Sequence, residues 1–202
     1  MSLIKRLKTD KYFLAFVIFL LIALIVHIIY AFQPRSFWWD ETIYIGMAKH
    51  LYSGGSIGFW ESFRPPALPM ILGLFWKIGI NPVIVGKILV LINAIALIIL
   101  TYLIAEKIYK NSGLFAAILT SSMQLIFWTA NLIITDLIAL TIALLAIYML
   151  INKKYFLAAI FASLAFIFRF PYGILMFSIF LPIVYEFILL IRKRVLAVER
   201  VL

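Results

Sequence analysis

Four charged side chains stand at the borders of apolar sequence, where a charge needs a reason to be. Asp40, with Glu41 beside it, follows Trp38 and Trp39. Arg64 comes directly before Pro65 and Pro66, Asp136 sits in the run Ile133, Ile134, Thr135, Asp136, Leu137, and Arg169 lies between Phe168 and Phe170, ahead of Pro171. A carboxylate can take the proton of a hydroxyl as a general base, and a guanidinium is a planar fork that donates two parallel hydrogen bonds to a phosphate. Each residue also has a plainer role open to it. Asp40 and Glu41 could complement the partial charge at a helix start, and Arg64 could bind lipid headgroups at a membrane interface. Asp136 could occupy a first helical turn. Arg169 could reach lipid phosphates along its aliphatic stem, bind an anionic substrate, or pair with Asp136.

The elements that must position these residues follow from composition. Of 202 residues 66% are apolar and 13% charged, with no cysteine, two histidines and a net charge of +10. Such a chain is neither an ordinary soluble globule nor a disordered one. It has no thiolate chemistry and no disulfide framework, and two histidines make a zinc enzyme a poor fit. The basic residues lie in short clusters between apolar runs, which is a membrane pattern and not a nucleic-acid one. No phosphate-binding glycine loop or serine-nucleophile elbow is present, and internal repeats of the kind that build transporters are missing.

About 20 helical residues cross a bilayer. The spacing of apolar runs predicts an all-α integral membrane protein with six crossings in a single membrane domain: 12–32, 83–105, 114–129, 132–151, 155–168 and 172–191, closed by a 192–202 tail. Residues 33–82 form a long outer loop. Within it, an amphipathic surface helix is expected from Glu41 to the Ser53, Gly54, Gly55 stop, and a short helix after Pro66 that dips into one face without crossing. This arrangement puts twelve of the 18 Lys and Arg residues, both termini included, on the cytoplasmic side of a cell membrane. The outer side then gathers Asp40, Arg64, Asp136 and Arg169. Glu61 reads as an interfacial charge, and His27 as a hydrogen-bonded interior histidine.

At these residues the chain resembles the N-terminal module of GT-C glycosyltransferases, the superfamily of protein O-mannosyltransferases and lipid A aminoarabinose transferases. The likeness rests on WWDETIYIGMAKHLYSGG, FRPPALPMILGLFWKIGINP, NLIITDLIAL and AFIFRFPYGIL, in that order after a first span. The resemblance implies transfer of a sugar from a polyprenyl phosphate to an acceptor on the extracytoplasmic face. In it Asp40 is the base with Glu41 as its acidic neighbour, Asp136 is a second catalytic acid that orients the acceptor, and Arg64 and Arg169 hold the donor phosphate. No cofactor is required, although Asp40 and Asp136 could also hold a divalent metal. Membrane lipids and the polyprenyl-linked donor are the expected partners. Family members usually carry further spans, so the resemblance also implies a fragment, or a subunit whose C-terminal half another chain supplies. The alternative is a non-catalytic lipid-binding or assembly protein that keeps the module's shape.

Overall fold

The structure, a computed structural model, describes residues 9–199; Lys5, Arg6, Lys8 and Arg200, four of the charges on which the topology was read, lie outside the described residues. Among the described residues the fold is all-α, with no strand. Helix α1 covers Lys11–Ala31, α2 Trp39–Tyr52, α3 Ala67–Lys77, α4 Pro82–Ile108, α5 Gly113–Ser122, α6 Gln124–Thr129, α7 Thr135–Ile151, α8 Tyr155–Phe168 and α9 Gly173–Glu199, with a 3-10 turn at Phe170–Tyr172.

Local chemistry sets the starts of the long helices. Asp10 caps α1 by accepting from the backbone N–H groups of Tyr12 at 3.1 Å and Phe13 at 3.0 Å. Asn81 caps α4 at 2.9 Å through Val83 N–H, and Pro82 fills the first position, where a missing N–H costs nothing. These two helices, of 21 and 27 residues, are the described ones long and apolar enough to cross a membrane. Much of α1 is unpartnered apolar surface, with Leu21, Ile22, Ile25 and Ile29 all more than half exposed.

Helix α4 is the central post, packed against α1, α3, α5 and α7, while α7 packs on α8 and α8 on α9. The α7–α8 hairpin is tight because Ala146 of α7 packs with Ala158 and Ala162 of α8, all buried, and small side chains let two backbones approach. The helices run antiparallel, so the bundle has two distinct ends. At one end Phe16 stacks on Tyr102 with ring centres 3.8 Å apart, and Lys107 bonds to Asn152. Lys11, Lys110, Lys153 and Lys154 belong to this end by their places on α1 and in the α4–α5 and α7–α8 turns. At the other end Tyr30 and His27 of α1 pack on Phe127 of α6, and Lys87 of α4 lies over Phe32.

Three expectations need correction. The run 114–129 is two helices, broken at Met123, whose backbone is extended at ψ 117. Ser121 and Ser122 both donate their hydroxyls back to the Ile118 carbonyl, which supplies a local alternative to helical bonding just before the break. The run 132–151 becomes helical only at Thr135, because Ile134 is extended at φ −131. The last helix continues from Gly173 through the expected tail to Glu199.

The outer-loop helices do form, but α2 is not a lone surface helix. Its Ile43, Tyr44, Met47 and Ala48 are buried, chiefly against α3 and the α6–α7 link. The contact needs Gly73, since a methyl group there would stand 2.6 Å from the Ala48 carbonyl oxygen and 2.3 Å from the Tyr52 ring. Gly73→Ala should therefore destabilise the protein by about 1–3 kcal/mol through overpacking, as measured by unfolding in mixed micelles.

Candidate active site

Two neighbouring acids on α2 part company because successive side chains on a helix point about 100° apart. Glu41 turns inward and is wholly buried, with 0% of its side chain exposed. There its Oε1 and Oε2 accept from Arg35 at 2.7 and 2.6 Å, from Ile133 N–H at 2.8 Å and from Trp38 N–H at 2.7 Å. Arg35 also donates to the carbonyl of Asn131. This latch ties the start of the outer loop and the first turn of α2 to the α6–α7 link. Burial would push the Glu41 carboxyl up, but the Arg35 bonds, with those from Ile133 and Trp38, hold it below the ordinary carboxylate range. Glu41 is thus the helix-start acid, and its assignment as a catalytic acid is withdrawn.

Acid sensitivity follows from that environment. A carboxyl held low in the folded state contributes stability that is complete above its unfolded pKa, about 4.3, and is lost as pH falls through the folded value. Unfolding midpoints measured from about pH 6 downward should fall steeply below about pH 4, with a shallower fall in Glu41→Gln.

Asp40 turns the other way, toward a cleft at the bundle end opposite the Lys-rich one. Its Oδ1 lies 2.9 Å from Nη1 of Arg64, whose Nε donates to Glu61 at 2.5 Å. The Arg64 guanidinium also covers the Tyr44 ring, 5.6 Å from its centre. Pro65 and Pro66 hold Arg64 at the entry to α3. Across the cleft, Asp136 in the first turn of α7 pairs with Arg169, the residue that ends α8 in an extended conformation ahead of the 3-10 turn. Behind the two pairs, the Tyr44 hydroxyl and the Thr135 hydroxyl bond at 3.2 Å inside the core.

Asp40, Arg64, Asp136 and Arg169 line one cavity of about 360 Å³, together with Tyr44, Phe63, Thr135 and Phe170. Four segments distant in sequence meet there. The pairs are not sealed, with side-chain exposures of 38% for Asp40, 18% for Arg64, 39% for Asp136 and 41% for Arg169. A ligand can therefore exchange with each arginine's carboxylate partner. Both fork donors and both acceptors face open volume, which suits a phosphate next to a hydroxyl group.

Each candidate carboxylate, Asp40 and Asp136, is occupied by a guanidinium, and no group of three or more His, Asp or Glu that could hold a metal occurs among the described residues. Two participants escaped the sequence reading. Arg35 has no distinguishing neighbours in the sequence, although an arginine six residues before a helix-start acid is a usable signal for a latch. Glu61 joins the cleft's charge network by reaching Arg64 at i+3. No known protein family, curated protein or solved structure matches the chain.

Proposed function

We propose that this chain is a six-span membrane protein of GT-C type, with both termini cytoplasmic, that transfers a sugar from a polyprenyl phosphate to a hydroxyl acceptor at an extracytoplasmic cleft. The observation that carries the reading is the convergence of Asp40, Arg64, Asp136 and Arg169 on one open cavity. Support for the topology comes from the two long apolar helices and from the lysines at the far end of the bundle, whose placement agrees with the positive-inside bias. In this reading, the pieces α5 and α6 share one crossing, and α7, α8 and α9 make the others.

The chemistry is one displacement at the anomeric carbon. The acceptor oxygen forms its bond to that carbon as the carbon–oxygen bond to the lipid phosphate breaks. The bonding electrons leave with the phosphate oxygen, and the acceptor proton passes to an Asp40 oxygen within about 2.6–3.2 Å. Arg64 and Arg169 stabilise the negative charge that gathers on the departing phosphate. Asp136 orients the acceptor hydroxyl. As phosphate takes over Arg64, Asp40 is left free to accept the proton, so donor binding prepares the base. Attack from the face opposite the phosphate inverts the anomeric configuration.

The test is purified protein in lipid, supplied with labelled polyprenyl phosphate sugars and hydroxyl acceptors. Transfer that depends on Asp40 supports the reading. Transfer that survives unchanged in Asp40→Asn removes the base assignment, and no transfer from any donor favours a lipid-binding or assembly protein.

A further inference from the structure

The Lys-rich end of the bundle holds charge that the fold itself leaves unanswered. Lys107 and Lys110 stand at the α4–α5 turn and Lys153 and Lys154 at the α7–α8 turn, all four exposed. The two turns are neighbours, because Lys107 donates to the side-chain oxygen of Asn152 and lies over the Tyr148 ring, 6.0 Å from its centre. The acid nearest in sequence, Glu106, is engaged elsewhere. Its oxygens accept from the backbone N–H groups of Asn111 at 3.1 Å and Gly113 at 3.2 Å, which fixes the α4–α5 turn. Among the described residues no ion pair involves any of the four lysines.

Lys153 adds a second sign. Its backbone is left-handed at φ 59, a conformation in which glycine or asparagine sits with less strain, and Asn111 holds the left-handed position of the α4–α5 turn at φ 67. A cation beside the end of α7 complements the helix dipole. Lys107 already serves that end through Asn152, so the dipole alone leaves Lys153 and Lys154 unexplained. Apolar side chains stand beside these charges. Ile108 and Tyr109 are each 75% exposed and Phe156 78%, a setting that suits acyl chains better than an acidic peptide or a nucleic acid.

We propose that the two turns form one site for the headgroup of a phospholipid with two phosphates, a lysine pair from each turn taking one phosphate and the acyl chains lying along Ile108, Tyr109 and Phe156. Basic pockets at the ends of packed helices bind such headgroups because ammonium donors and the attraction of an anionic surface act together there. Two lysine pairs match two phosphates, whereas a lipid with one phosphate leaves a pair unanswered. The inference rests on the membrane reading of the fold and is independent of sugar transfer. Lys11, at the same end, stands apart from the site: α1 packs on α4 and α5, and the Lys11 Nζ lies over the Tyr12 ring, 5.8 Å from its centre.

The test embeds the full chain in phosphatidylcholine nanodiscs and titrates three probes, cardiolipin, phosphatidylglycerol and inorganic pyrophosphate, with bound molecules counted by native mass spectrometry. Cardiolipin should bind as a single molecule and at least about tenfold more tightly than either other probe, since phosphatidylglycerol carries one phosphate and pyrophosphate has no chain to bury. Lys107→Gln and Lys153→Gln should each weaken cardiolipin by about fivefold, the effect of one lysine near an anionic surface. Lys11→Gln removes the same charge from the same end and should weaken it by less than about twofold. Equal weakening by Lys11→Gln means a diffuse attraction and overturns the site. Phosphatidylglycerol binding as tightly as cardiolipin overturns the match to two phosphates, and pyrophosphate binding as tightly overturns the lipid. Protein that stays monodisperse with neither detergent nor lipid refutes the membrane reading itself. Protein that needs the nanodisc but shows no preference for cardiolipin refutes this site alone.

Discussion

Arg35→Ala should cost about 3–5 kcal/mol of stability, the largest loss expected from any single surface-loop substitution in this protein, because it strands a charge in the core. Glu41 is fully buried, and its oxygens cannot turn to water when the guanidinium is gone. The two backbone donors, Ile133 and Trp38, would remain, so the carboxylate is only partly uncompensated. The penalty should shrink at acid pH, where a protonated Glu41 no longer carries the stranded charge. Unfolding in mixed micelles at neutral and acid pH measures both effects, and an equal loss at the two pH values would place the cost elsewhere. Removing both partners in Arg35→Met with Glu41→Leu should recover only part of the loss. A buried ion pair can often be replaced by apolar residues, but here the Ile133 and Trp38 N–H groups would be left without an acceptor, and such orphaned donors cost about 1–3 kcal/mol each.

The latch also explains why the cleft has the geometry it has. Asp40 is adjacent to Glu41, and Asp136 is three residues beyond Ile133, so one carboxylate fixes the backbone beneath both candidate acids. Arg35 is therefore a positioning residue, outside the cavity lining but tied through Glu41 and Asn131 to both sides of it. Charged groups at this junction divide into those that hold the frame, Arg35 and Glu41, and those that face open volume, Asp40, Arg64, Asp136 and Arg169.

Much of that second set was legible beforehand, because a charge beside long apolar runs stands out whatever the fold. Asp136 and Arg169 announce themselves as lone charges in apolar sequence, and their pairing follows once α7 and α8 form a hairpin through the Asn152, Lys153 turn. The direction of Glu41 was not legible. Two adjacent acids at a helix start have the same local chemistry, and only the docking of α2 decides which faces the core. The break at Met123 was hidden for a different reason: hydropathy is blind to where a run of apolar residues stops being helical, and the Ser121, Ser122 pair is a faint mark. Lys11, Lys107, Lys110, Lys153 and Lys154 fall at helix ends or in turns, and α8 has the bounds read from composition, 155–168, but the run 114–129 splits into two short helices and α7, at 17 residues, starts three residues later than composition suggests.

Asp40→Asn should lower kcat for sugar transfer by about 10²–10⁴-fold, the range that a positioned general base contributes, with KM for the lipid donor little changed. The substitution keeps the shape of the side chain and an oxygen acceptor, so the folded frame survives and the effect can be assigned to proton transfer. It also removes the charge facing Arg64, which frees that guanidinium for the donor phosphate; donor binding should hold steady or tighten while turnover collapses. That split separates a base from a structural partner of Arg64. If Asp40 served only to hold Arg64 in place, Asp40→Asn would weaken donor binding and turnover together, and Glu61→Gln, which removes the other carboxylate on Arg64, would act in the same direction. With Asp40 as the base, Glu61→Gln should leave kcat within a few fold of wild type, and Asp136→Asn should act mainly on KM for the acceptor, because its carboxylate sits across the cavity beside Arg169 and takes no proton in the displacement.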